Sequence, residues 1–321
     1  MGEMKPASAD LQKVRVGHFP NITHAQALIG RATGRFEKAF DKRVEIEWKT
    51  FNAGPAAIEA LFAGAIDILY VGPNPVLSGF VRSNGEALRV ITGVASGGSA
   101  FVVRPDAGIE KFEDIRGKRV ASPQIGNSQD VALRYLMKQK GLAPRSLGGD
   151  VDVLQLSGGD QLIAFSKKQV DAIWTVEPMV SRLVSEAGGE VLFDEKELWP
   201  NGEYPTAILV ARRKFLEEHP DWVRRWLKVH IEITDWIGEH PDQAKKLVNE
   251  ELKELTGELL PETYLDESFK RIRFTSDPMQ SEVYESARRA FEIRFLGKEK
   301  VNLDRLYDLS FLDSVKGKER A

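Results

Sequence analysis

The sequence predicts an α/β protein made of two similar lobes, and three observations predict it. Through the first two-thirds of the 321 residues, short apolar runs alternate with stretches of helical spacing, the pattern of strands joined by helices in largely parallel pairing. A weak internal repeat relates residues 52–73 (NAGPAAIEALFAGAIDILYVGP) to residues 157–178 (SGGDQLIAFSKKQVDAIWTVEP), each in the order glycine loop, helix, Asp at a strand start, apolar strand, Val-x-Pro. A spacing of about 100 residues fits two lobes and is too long for a solenoid. Finally, 42% hydrophobic residues in a chain of this length suffice for two ordinary domains with real cores.

The strands read in order. Val14–Val16 opens the chain, and Val44–Trp48 alternates at period two. The runs 66–71, 88–94, 100–103, 119–121, 151–156, 170–176, 190–193 and 207–210 follow. Between them, Pro55 marks a helix start that Gly64 closes, and Pro75 opens a helix ending near Asn84-Gly85. Asn127-Ser128 precede a helix ending at Gly141, and Pro178 one ending at Gly188-Gly189. Beyond about Lys214 the pattern becomes all-helical, with starts at Pro220, Pro241, Pro261 and Asp277-Pro278.

Composition removes several functions. Lys and Arg total 45 against 48 Asp and Glu, a net charge of −3, without the basic face a nucleic-acid binder needs. There is no cysteine, so disulfides, thiolate metal sites, iron–sulfur clusters and a Cys nucleophile are excluded. No apolar run reaches the roughly 18 residues of a membrane helix. Residues 1–11 read as a disordered segment without the apolar core of a signal peptide, which leaves either a cytoplasmic protein or one whose leader was removed.

The loops after the strands carry the functional signal. GHFPNITH, FNAGP, GPNP, ASGGS, SPQIGNSQ, SGGD and Glu177-Pro178 are rich in Gly, Ser, Thr, Asn and Gln, poor in Lys and Arg, and mostly run into helices. Helix starts offer unpaired N–H groups and partial positive charge, so several converging on one point can hold an anion without a side-chain cation. Taken singly, each loop is better read as a cap or turn; taken together they favour a cleft.

Catalytic constellations are missing. There is no P-loop, no Gly-x-Gly-x-x-Gly, no Gly-x-Ser-x-Gly and no His-x-x-x-His, so neither a metal site nor a cofactor is expected. His18 and His24 share one loop and serve either a ligand or local structure. Glu177, between an apolar strand and a helix start, could meet a ligand amine or hydrogen-bond loop amides across the lobes. Trp174 and Tyr204 could wall a pocket or belong to the core.

The motifs GHFPNITHA, TFNAGPAAIEALFAGAIDILYVGPNP, ITGVASGGSAFVVR, ASPQIGNSQDVALRYLM and DAIWTVEPMVSRLV resemble the substrate-binding proteins of nitrate, sulfonate and taurine ABC importers, nearest the aliphatic sulfonate group. The resemblance runs from about Val14 to at least Leu247 and implies the type II periplasmic binding fold: two α/β lobes joined by two crossovers and closing as a clamp. It puts lobe one at 12–103 plus 204–321 and lobe two at 104–203, with crossovers near Val102–Pro105 and Glu203–Ala207. It also implies a periplasmic or lipid-anchored extracytoplasmic location, the leader having been removed, an inner-membrane ABC permease as partner, and a monomer.

By position, the family's ligand loops fall on Asn21, Thr23, His24, Asn52, Gly54, Gly72, Pro73 and Asn74. They continue at Ser96, Gly97 and Ser99, and at Gln124, Asn127, Ser128 and Gln129. Trp174, Glu177 and Tyr204 would face them. The expected activity is reversible capture of a small organic oxyanion, without catalysis. The alternative is an enzyme on the same scaffold that acts on a small anionic metabolite with His18 or His24 as general base. Related thiamine pyrimidine synthases use a cysteine-rich iron motif that this chain lacks.

Overall fold

The computed structural model describes residues 11–156, 158–297 and 301–317. The expected disordered segment 1–11 lies outside them except for the exposed Leu11.

Eleven strands among the described residues form two sheets. They are β1 (Gln12–His18), β2 (Val44–Thr50), β3 (Ile68–Val71), β4 (Leu88–Gly97), β5 (Ser99–Val103), β6 (Arg119–Ser122), β7 (Asp152–Gln155), β8 (Ala172–Val176), β9 (Glu190–Asp194), β10 (Pro205–Arg212) and β11 (Ile272–Phe274). The first sheet runs β11-β4-β10-β3-β1-β2 and the second β7-β6-β8-β5-β9. The central strands are covered on both faces, so they read as unbroken apolar runs.

The two sheets are built alike. In the first, β1 pairs in parallel with β2 and β3, while β10 runs antiparallel to β3 and β4. In the second, β6 pairs in parallel with β7 and β8, while β5 runs antiparallel to β8 and β9. The register repeats too: Val16 faces Ile68, and Val120 faces Ala172. Both members of the second pair lie 104 residues after their counterparts, the offset that relates Asp67 to Asp171 in the sequence repeat.

Three expectations need correction. Pairing is mixed, because each sheet receives one antiparallel strand from the chain as it passes between sheets. The strand Ser99–Val103, assigned to lobe one by the boundary at 103, belongs to the second sheet, so the chain changes sheets at Gly98 and not at Val102–Pro105. β4 and β5 are buried along their whole lengths and separated only by Gly98, and nothing in the runs 88–94 and 100–103 tells that they join different sheets. Gly97 and Gly98 both take positive φ, +82° and +87°, and a Cβ on Gly97 would lie 2.3 Å from the Arg271 carbonyl oxygen. The helical last third also contains β11, which extends the first sheet beside β4. The second passage occupies residues 195–204, between β9 and β10.

Helices cover both faces of each sheet. Helices Ala25–Thr33, Pro220–Glu239 and Pro241–Thr256 close one side of the first sheet, where Trp226 stacks on Phe36 at 3.7 Å. Helices Gly54–Phe62, Pro73–Arg82 and Gln280–Glu292 close the other. In the second sheet, Ser128–Gln139 covers one face, and Gly159–Ser166 with Met179–Ala187 covers the other. Among the described residues no helix is long and apolar enough to cross a membrane, and no group of three His, Asp or Glu side chains could hold a metal ion.

Candidate functional site

The duplicated sheets place equivalent loops face to face. A cavity of about 480 Å³ lies between them. The first sheet lines it with the loops after β1, β2 and β3, and the second with the loops after β6, β7 and β8. Each loop leads into a helix start, of Ala25–Thr33, Gly54–Phe62 and Pro73–Arg82 on one side, and of Ser128–Gln139, Gly159–Ser166 and Met179–Ala187 on the other. None of these six helices takes a side-chain cap from its own N-cap residue, which leaves first-turn amides to other acceptors wherever the residue carries one; Pro55, Pro73 and Pro75 carry none.

Two of those amides are met from across the gap. Gly54 N–H donates to Asn127 Oδ1 at 3.1 Å, and Asn74 N–H to Ser128 Oγ at 3.4 Å. The sheets are thus held close at one end of the cavity. Gly72 belongs to the same contact, since a Cβ there would lie 2.7 Å from Ser128 Oγ. In the loop after β1, Asn21 Oδ1 accepts from Thr23 N–H and Thr23 Oγ1 and fixes the turn that presents His24.

His24 lines the cavity as a neutral donor. Burial pushes its pKa down to about 3. Phe19 N–H donates to its Nδ1 at 3.2 Å, so the ring proton sits on Nε2. His18 is fully buried, is pushed down to about 4 by burial, and does not line the cavity. Neither ring has the near-neutral pKa of an effective general base.

Nine of the eighteen expected residues line this cavity: Asn21, Thr23, His24, Asn52, Gly54, Gly72, Asn127, Ser128 and Gln129. The other nine do not. Pro73 and Asn74 lie behind it, in the seam against Ser128. Ser96, Gly97, Ser99 and Tyr204 gather at the crossovers. There Ser99 N–H donates to the Tyr204 hydroxyl at 3.0 Å, and Ser96 Oγ donates to Glu203 at 2.9 Å. Gln124 points to solvent, with its carbonyl taken by Asn127 N–H.

Trp174 is wholly buried in the second sheet's core, its Nε1 donating to Glu195 at 2.8 Å. Thr175, on the opposite face of β8, and Val176, at its end, reach the cavity instead. Glu177 is fully buried and caps the helix Met179–Ala187 from outside by accepting from Ser181 N–H and Oγ, both at 3.0 Å. Its carboxylate also pairs with Arg271 at 3.1 Å. Burial pushes its pKa up, against the pull of Ser181 and Arg271. It has no opening toward a ligand amine.

The sequence reading missed Arg182, Glu258 and the apolar pair Leu252 and Leu260, all on the cavity wall. Arg182 is one turn inside the helix that Pro178 announces, and helical spacing from that start could have found it. The other three come from the helix Pro241–Thr256 and the segment after it, for which no local motif exists. Gly158 and Gly159 also line the cavity, from a loop already noted as SGGD; its Ser157 is outside the described residues.

The sequence profile of the NMT1-like family matches residues 7–250. A Bacillus subtilis (strain 168) protein named for binding aliphatic sulfonates is 29% identical over 311 residues, covering 94% of this chain and 87% of that one. The taurine-binding periplasmic protein of Escherichia coli (strain K12) is 26% identical over 216 residues, 67% of this chain and 64% of that one. Among solved structures, the alkanesulfonate-binding protein SsuA from Xanthomonas axonopodis pv. citri, bound to MOPS, superposes with a TM-score of 0.75 at 20% identity, over 93% of this chain and 99% of that one. That likeness establishes the fold as the one used by periplasmic binding proteins.

Proposed function

The chain belongs to the NMT1-like family, and on that premise we propose that it is the solute-binding protein of an ABC importer, capturing a small organic oxyanion of the sulfonate class. One observation carries the reading: six helix starts, three from each of two equivalent sheets, border a single cavity. Their amides and partial positive charge suit one oxyanion head group. A volume of about 480 Å³ exceeds what an inorganic anion fills, and Leu252, Leu260 and Met179 offer an apolar wall for an organic tail.

In this reading the sheets with their helices are two lobes. They open and close about Gly98 and residues 195–204, and the closed form docks outside the inner membrane on a permease. Capture is reversible and leaves the ligand unchanged, in keeping with the depressed pKa values of His18 and His24. The nine cavity-lining residues named above, with Arg182 and Thr206, are the assigned contacts.

Titration calorimetry with alkanesulfonates, taurine, nitrate and bicarbonate tests the assignment. Saturable binding of a sulfonate at one site per chain is expected. A protein that binds none of these anions would refute it.

A further inference from the structure

The ionisable residues on the described cavity wall are His24, Arg182 and Glu258. Arg182 lies on the helix Met179–Ala187 of the second sheet, and Glu258 follows the helix Pro241–Thr256 that packs on the first. The two meet across the cleft in a bidentate pair, with Arg182 Nη1 and Nη2 donating to Glu258 at 2.8 and 2.9 Å. Arg182 is also held on its own helix by Glu186, at 2.9 and 3.3 Å.

Building on the capture reading, we propose that Glu258 is a specificity residue: it latches the cleft through Arg182, and a ligand is accepted only if it leaves that pair intact, which restricts capture to anions carrying one negative charge.

Two features make the pair a latch. It joins the two sheets' layers directly, so separating the lobes breaks it. Each half is also prearranged. Glu186 keeps the guanidinium oriented when Glu258 leaves. The left-handed turn at Gly257 (φ +80°) and the bond from Glu258 N–H to Thr256 Oγ1 present the carboxylate toward the cleft.

Charge counting gives the selectivity. Two carboxylates surround one guanidinium, so this end of the cavity carries a surplus negative charge, and the neutral His24 adds nothing to offset it. The opposite end offers dipoles that satisfy one anionic head group. A second negative charge on the ligand would meet the surplus carboxylate, or would take Arg182 from Glu258 and leave the cleft unlatched. Glu258 is half exposed, so the effect is screened by salt and of moderate size.

The probes are 1-propanesulfonate, with one charge, and sulfoacetate, with two. Calorimetry on the wild type and Glu258→Gln is paired with spin-label distances across the cleft in ligand-free protein. Wild type should prefer propanesulfonate. Glu258→Gln should weaken propanesulfonate roughly two- to fivefold, narrow its advantage over sulfoacetate, lose part of the salt dependence, and shift the ligand-free distances toward the open form. An unchanged preference together with unchanged distances in the variant overturns the proposal, as does a wild type that takes sulfoacetate as well as propanesulfonate. A wild type that binds neither probe overturns the selectivity, and the capture reading falls with it only if taurine, nitrate and bicarbonate also fail to bind. The ligand-free distances then still decide whether Glu258 latches the lobes.

Discussion

The carboxylates of Asp67 and Asp171 hold the same place in the two sheets. Asp67 Oδ2 accepts from Arg15 N–H and Nε, and its Oδ1 from Arg212. Asp171 Oδ2 accepts from Arg119 N–H and Nε, and its Oδ1 from Arg104. Each carboxylate ties the first parallel strand of its sheet to the antiparallel strand that arrives from the other sheet. Removing the charge strands two guanidinium groups at once. Asp67 is the more deeply buried, and the Arg119 beside Asp171 is largely exposed. Asp67→Asn should therefore cost about 2–4 kcal/mol and Asp171→Asn less. The double variant should be nearly additive, because the pairs share no partner. Chemical denaturation of the three variants checks this.

Gly54 and Gly72 should respond differently to a methyl group. At Gly54 the added Cβ lies 2.4 Å from the Pro75 ring and 3.1 Å from Asn127 Oδ1. The proline ring cannot turn away, so Gly54→Ala should lose about 1–3 kcal/mol of stability by overpacking and also weaken sulfonate binding. At Gly72 the neighbour is Ser128 Oγ, which can rotate at the cost of its bond to Asn74 N–H. Gly72→Ala should spare the melting temperature and weaken binding alone. Thermal melts beside calorimetry separate the two.

The strands were legible because the central ones, covered on both faces, are mostly apolar runs, and all ten expected strands are present. Partner choice was hidden. The runs 88–94 and 100–103 read as two strands around the loop ASGGS, but nothing in either tells which sheet it joins, and the chain leaves one sheet for the other at the two positive-φ glycines between them. In the first sheet the rule that ligands meet loops after strands placed Asn21, Asn52 and Gly72 at the cavity. It failed for Trp174, where the face taken by a strand residue depends on register. It could not reach Glu258, which a distant helix carries to the cleft.

Acid should destabilise the protein before its carboxylates titrate. His18 and His230 are pushed down to about 4 and His24 to about 3, each by burial. Their folded values lie below the ordinary 6.5, so the unfolded chain binds more protons in between. The stability they contribute is complete above about pH 6.5 and is lost as pH falls toward 4, about 2 kcal/mol per histidine by pH 5. Glu177, Asp194 and Glu195 are shifted up by burial and partly oppose this, because their protonation favours the fold as pH falls. The melting temperature should drop between pH 6.5 and 5. Imidazole NMR should show His24 and His230 neutral there with the proton on Nε2, since His24 Nδ1 accepts from Phe19 and His230 Nε2 meets the Gly93 carbonyl. Histidines that titrate near 6.5 in the folded protein would contradict this placement.

Trp174 separates the core from the cleft most sharply. Its ring packs edge-on against Phe101 and Phe193, and its Nε1 reaches Glu195 at 2.8 Å and Ser99 Oγ at 3.2 Å. Glu195 is buried, and its other donors are few: Trp199 Nε1 reaches it only at 3.4 Å. Trp174→Phe removes a donor from a buried carboxylate and leaves a small void, which together should cost about 2–4 kcal/mol. Sulfonate affinity should stay within about twofold, because Thr175 and Val176, not the indole, face the cavity. Lost binding at an unchanged melting temperature would return Trp174 to the ligand, facing the loops of the first sheet.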